Sequence, residues 1–221
     1  MSGIVGSKFN IRGSGLVGSL GTDGQHMLSS GAGKTNVFET PAAAGGMWTK
    51  ILHQTITSAT DAMDFIDGTG GCVIDATYDY YLMHFRNAVL DTADKKLLVL
   101  ISDDTGSTWE TTGYASFGYQ AAYTGGQTAR SAYNTSMTVM NSVTTTAGEG
   151  CSGYILFTSP ALSIKPTCSY NVTMGANAVD AGFNWTGGGK YDTATAYDGI
   201  QFISSSGNIE TLQATLYGHT D

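Results

Sequence analysis

Residues 209–217 read IETLQATLY, and this stretch decides the fold class. Apolar residues at every second position, Leu212, Ala214 and Leu216, alternate with polar ones. Alternation with a period of two is typical of a β-strand that has one face on a core and the other face in solvent. The stretch therefore predicts an antiparallel sheet that covers a core on one side.

Similar signals recur along the chain before this stretch, separated by turns such as DTADK, DDTGS, TTGG, WTGGGK and SSSGN. Many short strands between Gly-, Asp-, Asn- and Ser-rich turns are typical of a sandwich. We therefore predict an all-β fold in which residues 48–221 form an antiparallel jelly-roll-like β-sandwich. The predicted strands are Trp48–Thr57, Tyr80–Leu90, Lys96–Ile101, Ala115–Tyr123, Tyr154–Thr158, Ser169–Met174, Ile200–Ile203 and Ile209–Tyr217.

The composition supports this prediction and excludes several partners. Only 13% of the 221 residues are charged, so the chain lacks the Glu, Lys and Arg from which long surface helices are built. The net charge of −8 argues against nucleic acid, whose binding requires a basic patch. No stretch approaches the roughly 18 apolar residues of a membrane span.

The first residues lack the apolar core of a secretory signal, so we expect no export by the usual route. An odd number of cysteines, Cys72, Cys151 and Cys168, together with that lack predicts free thiols in a reducing cytosol. We expect all three to be small buried hydrophobic residues.

Residues 1–40 differ from the rest, because glycines separate short apolar pieces such as Leu16-Val17 and Val37-Phe38. No piece is long enough to make a sheet with its own core, and a flexible tail would not expose so many apolar residues. We expect the segment to obtain a core by winding around copies of itself. Pro41 and the Ala- and Gly-rich run after it predict a linker over 41–47.

Residues 20–39, LGTDGQHMLSSGAGKTNVFE, resemble a repeat of phage tail-fibre and related virion proteins. That repeat runs Leu-Gly-x-x-Gly-Gln-x-Leu-x-Ser, followed by a Gly-rich turn and an aromatic residue. The resemblance implies an intertwined, homotrimeric β stalk. The residues that we expect to form the trimer are Leu16, Val17, Leu20, Leu28, Val37 and Phe38.

The end of the chain carries a second resemblance to marine phage fibre-like proteins. Their sandwich domains end in a hairpin in which a Ser-Gly-Asn-Ile turn precedes a last strand ending in Leu-Tyr-Gly. Residues 206–209 and 216–218 match these two elements. The resemblance predicts a terminal hairpin here.

The sharpest local pattern is SDDTGSTW at residues 102–109, which resembles the Asp-box of sialidases. Asp104 is expected to accept backbone N–H groups of its own turn, Gly106 to supply a positive φ, and Trp109 to pack over the hairpin. In sialidases the Asp-box is a structural turn, so we predict a structural hairpin for Ser102, Asp104, Gly106 and Trp109.

Residues 97–101, LLVLI, are apolar on both faces, whereas one face of a sandwich strand is normally wet. The second face therefore needs a cover: a loop, the stalk or a neighbouring subunit.

Aromatic residues supply the remaining functional clue. Trp185 and Tyr191 in a Gly-rich stretch are predicted to be exposed contacts for a surface glycan. Most other aromatic residues are expected in the core, because they share a strand face with apolar neighbours; these are Tyr81, Phe85, Phe117 and Tyr119.

Other motif-like patterns lack the surrounding structure or the further residues that their usual function requires. Residues 13–18, GSGLVG, match the dinucleotide-binding spacing, but no helix follows, and residues 31–35, GAGKT, lack the first glycine of a P-loop. The four histidines show no metal-ligand spacing, and no nucleophile elbow occurs. We predict no catalytic residue, no metal site and no cofactor.

Together these features predict a non-enzymatic phage virion protein, assembled in the host cytoplasm. It would be a trimeric tail fibre or fibre-like component that contacts other virion proteins and mediates attachment to the host surface, with a host glycan as the candidate receptor. The alternatives are a capsid head fibre or decoration protein, a free carbohydrate-binding module and, fourth, an enzyme such as a depolymerase.

Overall fold

A computed structural model describes residues 26–28, 37–39, 48–122, 125–158, 160, 162–175 and 182–220 of the chain. These residues form strands, bends and turns. No helix occurs among them, and hence none that is long and apolar enough to cross a membrane. The prediction of an all-β chain is confirmed for this part.

The chain divides into two compact units, Met1–Gly45 and Gly46–Asp221. The division falls inside the linker that the sequence predicts over residues 41–47.

In the first unit, the short strands β1 (His26–Leu28) and β2 (Val37–Glu39) form an antiparallel ladder. Met27 lies opposite Phe38, so the two apolar pieces of the predicted repeat pair with each other. The other residues named for the trimer, Leu16, Val17 and Leu20, lie outside the described residues.

Twelve further strands are described in the second unit. They are β3 (Thr49–Ile56), β4 (Ala62–Ile66), β5 (Tyr80–Leu90), β6 (Lys95–Ser102), β7 (Tyr114–Ala122), β8 (Gln127–Asn134), β9 (Met137–Val143), β10 (Cys151–Thr158), β11 (Thr167–Met174), β12 (Phe183–Tyr191), β13 (Gly199–Ser204) and β14 (Ile209–His219).

These strands form two antiparallel sheets. The large sheet has the order β3-β14-β5-β10-β11-β12-β7-β8, and the small sheet has the order β4-β13-β6-β9. From β3 to β6 the chain changes sheet at every connection, whereas β7–β8 and β11–β12 are hairpins that extend the large sheet.

The core lies between the two sheets. The rings of Phe85 on β5 and Phe202 on β13 have centroids 5.5 Å apart, and the Tyr114 hydroxyl on β7 accepts a hydrogen bond of 2.9 Å from the backbone N–H of Ile101 on β6. The alternation that predicted the fold is confirmed, since Leu212 and Leu216 are fully buried in this core.

Strand β6 is buried on both faces. Leu97, Val99 and Ile101 lie in the core, and Leu98 and Leu100 on the opposite face are only 8% and 6% exposed. A single chain therefore covers both faces, and β6 does not require a neighbouring subunit. This removes one argument for a trimer.

Each of the eight predicted strands is present, and Tyr80–Leu90 has the predicted bounds. The sequence pattern does not predict β4, β8, β9 or β12. It predicts a turn at WTGGGK, but Gly187–Gly189 lie inside β12, paired with β7 and β11.

The glycines of β12 have a packing role. Gly187 lies opposite Gly118 of β7, and a Cβ at Gly118 would lie 2.6 Å from the Thr186 carbonyl oxygen and 2.9 Å from Trp185 Nε1. Because Gly118 has no side chain, the Trp185 indole can lie close against the backbone of the sheet.

The predicted terminal hairpin is wrong. β13 belongs to the small sheet and β14 to the large one, so the turn over residues 205–208 carries the chain between sheets. Gly207 has a φ of 75°, and Ser205 is held to Lys96 by hydrogen bonds of 2.9 and 3.0 Å.

Candidate functional site

The Asp-box-like turn connects β6 of the small sheet to β7 of the large sheet, so it is not the predicted hairpin. Its hydrogen bonds do follow the prediction. The Asp104 carboxylate accepts from the Thr108 N–H at 2.8 Å, from the Thr108 hydroxyl at 2.7 Å and from the Ser102 hydroxyl at 2.8 Å. These bonds, those of Thr108 first, lower the pKa of Asp104.

Gly106 and Trp109 close the turn. Gly106 has a φ of 74°, and a Cβ there would lie 2.5 Å from Ile66 Cδ1. The Trp109 ring is half-buried against the core. A Cβ at Gly199 would lie 3.2 Å from this ring. The backbone N–H of Thr105 is held by both carboxylate oxygens of Asp198, at 2.9 and 3.0 Å. Every one of these contacts is internal, which indicates a structural turn.

The prediction that Trp185 and Tyr191 are exposed is wrong. They are 2% and 5% exposed, because odd-numbered residues of β12 face the core. Trp185 Nε1 donates to the Tyr170 hydroxyl at 3.2 Å, and the Tyr191 hydroxyl donates to Glu110 at 2.7 Å. Both polar atoms thus have internal partners.

The outer face of the large sheet carries the exposed aromatic residues instead. Strand register aligns seven neighbouring residues across it, one from each strand except β8. We call this set the outer row, and its members are His53, Thr215, His84, Tyr154, Asn171, Thr186 and Tyr119.

The centre of the outer row is a polar ladder built from the sequences Asn-Val-Thr of β11 and Asn-Trp-Thr of β12. Asn171 Nδ2 donates to the Thr186 hydroxyl at 2.7 Å, and Asn184 Nδ2 donates to Asn171 Oδ1 at 3.0 Å. Asn184 also donates to the Thr173 hydroxyl at 3.0 Å. The four side chains hold one another in place, so they form an ordered polar surface.

Two exposed tyrosines flank this ladder. Tyr154 on β10 is 45% exposed and Tyr119 on β7 is 66% exposed. Three strand spacings separate them, which is about 14 Å. Phe117, 56% exposed, lies on the same face beside Gly188 of β12. The expectation that Phe117 and Tyr119 are core residues is wrong, whereas Tyr81 and Phe85 are buried as predicted.

On the other side of Tyr154, the outer face contains a depression of about 210 Å³ between β3, β14 and β5. His84 in its lining is the cross-strand neighbour of Tyr154. The full lining is His53, His84, Arg86, Gln213, Thr215 and Tyr217. The depression and the polar ladder are therefore two parts of one continuous surface.

The geometry of the described residues offers little for metal chemistry. Among residues 48–220, less the gaps given above, no three His, Cys, Asp or Glu side chains are grouped to hold a metal ion. Cys72, Cys151 and Cys168 are free and buried, as predicted, and burial raises the pKa of each thiol to about 12.

No family model matches the chain, and no curated protein or solved structure shows significant similarity to it.

The outer row is not predictable from local sequence, because its members come from seven strands. Which residues share a face of a strand can be predicted in part. In β11, Cys168, Tyr170 and Val172 lie on one face, so Asn171 and Thr173 lie on the other. The strand order, which brings β10 beside β5 and β12 beside β7, had no local signal.

Proposed function

We propose that this chain is a non-enzymatic attachment protein of a phage virion that binds surface carbohydrate through the outer face of its large sheet. The observation that carries the proposal is the polar ladder of Asn171, Asn184 and Thr186 between the exposed rings of Tyr154 and Tyr119.

The chemistry of that surface suits a sugar chain. A pyranose presents an apolar C–H face, which stacks on an aromatic ring, and a rim of hydroxyl groups, which pair with amides and hydroxyls. Tyrosines about 14 Å apart, on either side of Asn and Thr side chains, offer both kinds of contact along several linked sugars. The face is also open to solvent at both tyrosines, as a polymeric ligand requires.

The strand order supports a jelly-roll fold for the second unit. Without the inserted hairpins β7–β8 and β11–β12, eight strands remain, and in chain order they lie as 1-8-3-6 in the large sheet and 2-7-4-5 in the small one. This is the arrangement of a jelly roll, which is used by viral capsid and lectin domains. The fold alone does not decide function, so the proposal depends on the outer face.

Attachment of this kind gains from several copies. In the proposed homotrimer, formed through residues 1–40, three weak sites would act together on one surface. The reason for proposing assembly through this segment is that its apolar pieces are too short to build a core of their own; β1 and β2 pair within the chain.

Glycan binding by the full chain tests the proposal. We expect wild type to bind immobilised polysaccharide on a glycan array, and Tyr154→Ala and Tyr119→Ala each to weaken binding by about tenfold, the effect of one aromatic contact. Leu162→Ala, at a residue 53% exposed in a loop, is the control and should bind like wild type.

A comparison of immobilised polysaccharide with free oligosaccharide tests whether the chain assembles into the proposed trimer. Immobilised polysaccharide should bind at least about a hundredfold more tightly than the same oligosaccharide free in solution, because only a surface engages several sites at once. Equal affinities would contradict the trimer, and no glycan binding by wild type would contradict the proposed function.

A further inference from the structure

The depression beside Tyr154 differs from the rest of this acidic protein in charge. The chain has a net charge of −8, yet within the described residues the lining of the depression holds Arg86 and two histidines and no carboxylate. The only ion pairs described join Lys165 and Lys190 to Asp192, away from Arg86.

The guanidinium of Arg86 is exposed and oriented. Its Nε donates a hydrogen bond of 2.8 Å to Gln213 Oε1 on the neighbouring strand β14. This leaves the terminal amino groups, with four further N–H donors, for an acceptor from outside. A planar guanidinium matches a carboxylate especially well, because two parallel hydrogen bonds form.

The His53 ring of the depression is held in place as well. The two ring nitrogens of His53 contact the hydroxyls of Thr215 at 2.8 Å and Thr55 at 3.2 Å. His84 lies between Thr215 and Tyr154 in the outer row. These groups line a hollow with donors and acceptors suited to the hydroxyls of a sugar ring.

The strand register places this hollow within reach of the stacking ring. Tyr154 pairs with His84, and Arg86 lies two residues further along β5 at the start of the β-bulge in this pair. In a regular pair, diagonal neighbours on one face are about 7–8 Å apart. A single sugar whose ring stacks on Tyr154 would bring a carboxylate on that ring close to Arg86.

We infer that the depression binds the carboxylate of an acidic sugar, a uronic-acid residue of the polysaccharide, by a paired hydrogen bond to Arg86. The inference rests on the proposed carbohydrate-binding function and adds the class of sugar that the site selects. Arg86 determines specificity, and Tyr154 contributes affinity for acidic and neutral sugars alike.

A matched pair of ligands tests this selectivity. Trigalacturonate and its fully methyl-esterified form share the same rings, and only the first carries carboxylates. By calorimetry with the full chain, we expect at least about tenfold tighter binding of the acid, a typical effect of one charge-assisted pair. Arg86→Gln should remove this difference and leave binding of the ester unchanged.

The control variant is Lys96→Gln, which removes the same charge from an exposed position on β6 of the small sheet. It should keep the wild-type preference for the acid. Equal binding of acid and ester by wild type, or equal losses in the Arg86 and Lys96 variants, would overturn the inference.

The experiment separates the two proposals. If both ligands bind with equal affinity and binding depends on Tyr154, the inference about Arg86 fails and the proposed function stands. If neither ligand binds, a titration with free galacturonate followed by NMR decides: shifts of the His53 and His84 imidazole signals that vanish in Arg86→Gln support the site, and unchanged signals overturn it.

Discussion

The outer faces of the two sheets differ in exposure. On the small sheet, Leu98 and Leu100 are 8% and 6% exposed, and even the polar Gln201 is only 9% exposed. On the large sheet, Tyr154 and Tyr119 are 45% and 66% exposed. The outer face of the small sheet is thus closed to solvent at these positions of β6 and β13, although Asp64 on β4 is exposed, and the large sheet presents the more open surface.

This difference separates the structural apolar residues from those available to a ligand. An apolar side chain on the small sheet contributes to stability, because it is removed from water on both faces of the sheet. An aromatic ring of the outer row stays exposed to solvent after folding, so a bound ligand would bury apolar surface that folding leaves exposed. For this reason we place the binding surface on the large sheet.

The largest expected effect comes from a charge placed on each outer face. Leu100→Asp should lower the free energy of unfolding by about 3–5 kcal/mol, because it buries a carboxylate without a partner. Tyr119→Asp on the large sheet is the matched change and should stay within about 0.5 kcal/mol of wild type. Urea denaturation measures the free energy of unfolding of both variants. Similar decreases in the two variants would contradict the difference between the outer faces of the two sheets.

Thiol labelling compares the inner and outer faces of the large sheet at neighbouring positions. Cys168 is 8% exposed with a pKa raised to about 12, so at pH 8 its thiolate fraction is about a thousandfold below that of a thiol at 9.0. The thiol introduced by Ser169→Cys, on the exposed outer face, should react with Ellman's reagent in the native protein.

Wild type should therefore give no reaction until denaturant is added, when all three of its thiols react. Labelling of native Cys168 as fast as that of the thiol introduced at position 169 would show that the interior opens readily.

The smallest expected effect concerns the turn at Asp104, which connects the two sheets. Because the folded-state pKa of Asp104 is lowered, its carboxylate stabilises the fold above the ordinary value of 3.8, and this contribution is lost as the pH falls through the lowered pKa. Asp104→Ala should lower the melting temperature at pH 7, and the difference from wild type should shrink below about pH 4.

Asp61→Ala, at an exposed residue before β4, is the control and should melt like wild type at both pH values. A difference between wild type and Asp104→Ala that grows as the pH falls would contradict the assigned role of the Asp104 carboxylate.

Much of the fold could be predicted from local sequence, because a half-buried strand leaves a period of two. Tyr80–Leu90 was predicted with its bounds, and the face of β14 with Leu212 and Leu216 was predicted to be buried. Strand β8, QTARSAYN, shows no such period, and it lies at the edge of the large sheet. Strand β12 was hidden by three glycines that resemble a turn.

The candidate site was predicted less well than the fold. The sequence indicated aromatic residues as the functional groups, but it selected Trp185 and Tyr191, which face the core, and assigned the exposed Tyr119 to the core. The choice between the two faces of β7 and β12 depends on which face meets the small sheet. Composition near the residue does not contain that information.

The sequence by itself determined the all-β fold of the described residues, the main strands and the Asp104 turn, because each depends on residues close together in the chain. Only the tertiary structure decided which strands are neighbours, and so brought Arg86, His84, Tyr154, Asn171 and Thr186 onto one surface. Those residues span about a hundred positions, and strand pairing joins them through backbone hydrogen bonds that are the same for every side chain.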